Sequence, residues 1–145
     1  MVRQLTATGA VSGVNITSAG AIGSLSFGSL SGTNILVGVP STTTFANASS
    51  SNVGAGSIGS IRSGSFADSD ILTAKITSAS LGTVTNSNGG TAFGLAIRSI
   101  SSFTGVFAGA PAHVGHLQLV NEEVLQAYLA QQAVTFSDYN LKIEG

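Results

Sequence analysis

The chain has 145 residues, no cysteine, a net charge of −1 and a charged fraction of only 8%. That size suits one domain. The weak charge gives little attraction for nucleic acid or anionic lipid, so neither is an expected partner. Disulfide and thiol chemistry are excluded, and with 43% hydrophobic residues and two prolines the composition is not that of a disordered chain.

Charge is absent between Arg3 and Arg62, and a phrase recurs inside that stretch. Gly-x-(Val/Leu)-Ser-Gly-x-Asn-Ile runs from Gly9 to Ile16 and again from Gly28 to Ile35, an offset of 19, with a looser copy from Gly64 to Ile71. No unbroken apolar run follows Arg3, so no signal peptide is expected here. The longer phrase Ile22-Gly23-Ser24-Leu25 returns as Ile58-Gly59-Ser60-Ile61, and Gly28-Ser29-Leu30 as Gly64-Ser65-Phe66, both at an offset of 36. A weaker Leu-Gly-Thr-Val follows at Leu81–Val84. The unit is thus 19–23 residues, and the longer offset holds one unit plus an insertion, placed in the Ser/Thr/Asn-rich residues 40–57. A backbone that returns to the same corner reuses the same residue types, so the repeat predicts stacked turns of chain.

Each unit reads as short strands joined by glycine corners. Ile35, Val37 and Val39 alternate with period two, and the abundant Gly, Ser and β-branched residues disfavour helix. Asn15, Asn34 and Asp70 share one register, where Asn and Asp tolerate left-handed backbone and bond to their own turn, which predicts a corner ladder. Asp68 stands where Gly32 stood, so that corner does not demand glycine. The expected fold is all-β: a short right-handed parallel β-helix, or solenoid, of about four irregular rungs over residues 1–100.

The pattern changes near residue 93. Phe93, Leu95, Ile97 and Ile100 continue an apolar face around an outward Arg98, and Pro111 then interrupts the run. Residues 121–132 switch to helical spacing through Val124, Leu125, Tyr128 and Leu129, with Asn121 as cap and Glu122 and Glu123 in the first turn. A terminal strand follows through Tyr139, Leu141 and Ile143. Stacked repeats need an atypical end, so residues 93–145 are expected to form a helix-plus-strand cap.

The phrases Ile22–Ile35 and Leu36–Val39, with the closing stretch Phe136–Ile143, resemble the Gly/Ser-rich repeats and C-terminal region of large bacterial (planctomycete-like) surface or secreted β-helix proteins. The resemblance spans about residues 4–100 and the last ten. It implies parallel β-helix, an extracellular or cell-surface location and a structural or adhesin-like role, and it carries no catalytic motif.

Candidate chemistry is sparse. His113 and His116 have no Cys, Asp or Glu close by to complete a ligand set, so no metal and no cofactor are expected. Asp68 and Asp70, with Arg62, Lys75 or Arg98, are the inventory for a polysaccharide lyase or hydrolase; the competing reading is a turn with solvated charge. Gly56–Gly59 and Gly64–Phe66 are corner phrases without the strand–turn–helix context of a nucleophile elbow, and Gly54–Gly59 lacks the lysine and helix of a phosphate loop. The cap aromatics Phe103, Phe107, Tyr128 and Tyr139 are the candidate binding residues. The expectation is a non-catalytic, self-associating scaffold, a homo-oligomer without membrane insertion. The alternative is a glycan- or protein-binding module using the insertion or the cap.

Overall fold

The structure is a computed structural model that describes residues 2–49, 51–53, 55–85, 89–107, 110–115 and 139–143. The helix expected at 121–132, and with it Tyr128, lies outside the described residues, as does His116. Among the described residues the secondary structure is all strand. The elements are β1 (Val2–Ser12), β2 (Asn15–Ser18), β3 (Ala21–Ser31), β4 (Asn34–Val37), β5 (Ser57–Ser63), β6 (Ser65–Ala67), β7 (Asp70–Thr73), β8 (Lys75–Thr85), β9 (Phe93–Ile97), β10 (Ser99–Phe107), β11 (Ala110–Gly115) and β12 (Tyr139–Ile143).

These strands form two sheets. The long strands pair in the order β1-β3-β5-β8-β10-β11, with β6 also between β3 and β8; the short strands pair in the order β12-β9-β7-β4-β2. Pairing is parallel throughout except between β10 and β11. Parallel neighbours need a crossover, and here the crossover from one long strand to the next is a short strand of the other sheet.

The register follows the repeats. Ile16 pairs with Ile35, Ile35 with Ile71 and Ile71 with Leu95 in the short sheet. In the long sheet Ile22 pairs with Ile58, Ile58 with Ile76 and Ile76 with Ile100. Side chains alternate across a strand, so a register that keeps like residues opposite one another keeps each apolar column on one face. Those columns meet between the sheets in one core that includes Leu25, Leu30, Ile35, Ile61, Phe66, Ile71, Leu95 and Phe103. Each fully buried aliphatic or aromatic side chain contributes roughly 1.5–3 kcal/mol. The Phe66 and Phe93 rings stack at 6.2 Å across the two sheets. The parallel pairing runs through β9 and β10, so residues 93–107 repeat the preceding arrangement where the sequence pattern places the start of a cap.

The corners between long and short strands use left-handed backbone at Gly13 (φ 65°), Gly32 (φ 56°) and Asp68 (φ 43°). Short polar side chains hold these turns. The Thr33 backbone N–H donates to Ser69 Oγ at 3.2 Å, and Ser69 Oγ donates to Ala67 O at 2.9 Å.

The insertion leaves and rejoins the stack at one point. Gly38 and Gly56 abut so closely that a Cβ on Gly56 would overlap Val37 O. Because the two ends of the loop touch, the excursion changes the repeat length without shifting the register of the strands on either side.

Candidate functional site

The short strands carry two apolar faces. Ile35, Val37, Ile71, Leu95 and Ile97 face the main core, while Leu36, Leu72 and Ala96, at the alternate positions, form a second buried cluster with Phe45. Phe45 belongs to the insertion, flanked by Val39 and Ala48. The insertion is therefore a lid over the outer face of the short sheet. Its own Ser, Thr and Asn side chains hold it. Thr44 N donates to Asn47 Oδ1 at 2.7 Å and Ser49 N to Asn52 Oδ1 at 2.8 Å, while Asn52 Nδ2 donates to Asn47 O at 3.0 Å. Such local side-chain bonds stabilise turns that no ladder supports.

Beside the lid lies a cavity of about 300 Å³. Asn15, Asn34 and Asp70 run along one side, Thr17, Ser41, Thr43 and Thr44 add hydroxyls, and the buried Leu36, Leu72 and Phe45 back the lining with little exposed surface of their own (7%, 0% and 3%). The polar side is a ladder in register, Asn15 opposite Asn34 and Asn34 opposite Asp70. Asn34 Nδ2 donates to Asn15 Oδ1 at 3.1 Å, and the Gly94 backbone N–H donates to Asp70 Oδ1 at 3.2 Å. The shared Asn/Asp register expected from the sequence is present and opens on a cavity. These bonds, however, reach neighbouring strands rather than the residues' own turns, and the left-handed backbone falls at Gly13, Gly32 and Asp68.

Of the expected binding aromatics, Phe103, Phe107 and Tyr139 lie among the described residues, and Phe103 does not line this cavity. Phe103 has no exposed surface: it stands over Ala79, in line with Ile61 and Leu25, and is part of the core. Its place in an inward column corrects its reading as a contact residue. Phe107 sits on the long sheet opposite Val84 and Ala110, and Tyr139 on the short sheet opposite Phe93, so the two belong to different sheets. His113 pairs with Thr104 in the antiparallel β10–β11 ladder. Among the described residues no group of three His, Asp or Glu is placed to hold a metal ion. Asp70 lines the cavity, whereas Asp68, Arg62, Lys75 and Arg98 do not; Arg62 lies on the long sheet, opposite Ser26 and Ser80.

A second feature lies at the N-terminal end of the stack. β1 is paired on one edge with β3, and β2 on one edge with β4. Among the described residues the exposed large hydrophobics, Val2 (40%), Leu5 (37%) and Val14 (42%), all belong to this first unit.

The apolar signal for the lid was present in Ile35-Leu36-Val37 and Ile71-Leu72, consecutive apolar residues that mark a strand covered on both faces. Among the described residues no helix is long and apolar enough to cross a membrane. No family model, curated protein or solved structure matches the chain.

Proposed function

We propose that the chain is a right-handed parallel β-solenoid that serves as a non-catalytic, surface-associated or secreted scaffold and associates with a second copy of itself. The observation that carries this reading is the first unit. An 11-residue strand carrying one charge, Arg3, and no proline offers an edge that no described strand pairs with, and exposed apolar side chains. Soluble proteins blunt such edges with charge or proline because an open edge recruits another strand. A two-fold axis through this end would set the two β1 strands antiparallel and likewise the two β2 strands, continuing both sheets and closing the assembly as a pair. The surface and secreted part of the reading rests on the resemblance of the Gly/Ser-rich repeats.

Sedimentation equilibrium over a range of concentrations tests it. The native chain is expected to form a dimer. Thr6→Pro, in exposed β1, and Leu5→Lys are each expected to shift the mass toward monomer while leaving the folded signal by circular dichroism. A native chain that stays monomeric at every concentration would overturn the reading.

A further inference from the structure

The cavity beside the lid has a chemistry that the scaffold does not use. Its lining holds one carboxylate, Asp70, and no Lys, Arg or His, so an anion would meet no counter-charge there. A calcium-like cation takes six to eight oxygen ligands, and the single carboxylate already accepts the Gly94 N–H through Oδ1. A wholly apolar guest would dehydrate Asn15, Asn34 and the lining hydroxyls without replacing their hydrogen bonds. What fits is a neutral molecule rich in hydroxyls for the ladder and the lid, with at most a small apolar edge against Leu36 and Phe45.

We propose that this cavity binds a neutral saccharide of one or two rings. The volume of about 300 Å³ lies at the small end of ligand sites, which matches a guest of that size. The ladder is set before any guest arrives. The 3.1 Å bond between the two asparagines orients both amides, leaving Asn34 Oδ1 as an acceptor and Asn15 Nδ2 as a donor. A preorganised donor–acceptor pair loses little freedom on binding. The lid, held down by Phe45 against Leu36, Leu72 and Ala96, contributes Ser41, Thr43 and Thr44 to the lining.

Saturation-transfer NMR and calorimetric titration of the full chain would use glucose, galactose, N-acetylglucosamine and their disaccharides, with glucuronate and cyclohexanol as controls. At least one neutral sugar is expected to bind in the millimolar range, ahead of both controls. Asn34→Ala should weaken that binding about tenfold, as loss of one or two hydrogen bonds implies. Thr17→Trp, at an exposed lining position, should abolish it by filling the cavity, and the thermal melts of both variants should match the native chain. The proposal is overturned if no neutral sugar binds, if cyclohexanol binds as tightly as the sugars, or if the affinity is unchanged in both variants.

Discussion

The first and second units contain the same phrase and lead different lives. Leu5 and Leu25 face each other in register, yet Leu5 is 37% exposed and Leu25 is 1% exposed. Ile16 is half-buried and its register partner Ile35 is fully buried. The difference is one neighbour: among the described residues the second unit has a strand on each side in both sheets, and the first has a strand on one side only. A repeat of this kind completes its core only when it is covered from both ends, so identical residues contribute different free energies according to their place in the stack.

Four substitutions can break or sharpen that comparison. The largest contrast is at the leucines. Leu25→Ala is expected to cost about 2–5 kcal/mol by leaving a cavity beside Ile61, and Leu5→Ala less than about 1 kcal/mol in the monomer, as read by denaturant unfolding. The glycines come next. A Cβ on Gly28 would lie 2.5 Å from Thr8 O and 2.8 Å from Gly9 O, whereas one on Gly9 meets nothing within 4 Å. Gly28→Ala should therefore cost about 1–3 kcal/mol through backbone displacement, while Gly9→Ala should leave the unfolding midpoint almost unmoved.

Smaller effects test the inner columns and corners. Thr73 stands in register with Val37, is fully buried, and its Oγ1 has no hydrogen-bond partner among the described residues. Thr73→Val removes an unsatisfied hydroxyl at nearly constant shape and should stabilise the chain by about 1 kcal/mol. At the corner, Asp68 adopts the left-handed backbone that Gly32 adopts one unit earlier. Asp68→Gly relieves the left-handed Cβ but removes the side chain and adds unfolded-state freedom, so it should leave the thermal midpoint unchanged or lower it rather than raise it.

Much of the fold was legible because the repeat is a register written into the chain. The 19-residue offset between Asn15 and Asn34 and the 36-residue offset between Ile22 and Ile58 are the pairings of the two sheets. The Asp68 corner was not legible in this way: the replacement of Gly32 by Asp68 suggests a corner indifferent to glycine, whereas both residues adopt the same left-handed backbone. The lid was harder, since Phe45 is one aromatic in a stretch of Ser, Thr and Asn, and its partners Leu36 and Leu72 are distant in sequence. Phe103 misled because bulk near a break in the pattern looks like a surface anchor. Only the pairing with Ala79 places it in an inward column, where its large ring stands over a small side chain.

Self-association through the first unit makes the most direct demand on the backbone. Residue-resolved amide hydrogen exchange of the native chain at low and high concentration would read it. Protection should rise with concentration along Val2–Ser12 and Asn15–Ser18 while the interior strands β3 and β5 stay unchanged. Exchange along β1 and β2 that is fast and independent of concentration would contradict the account.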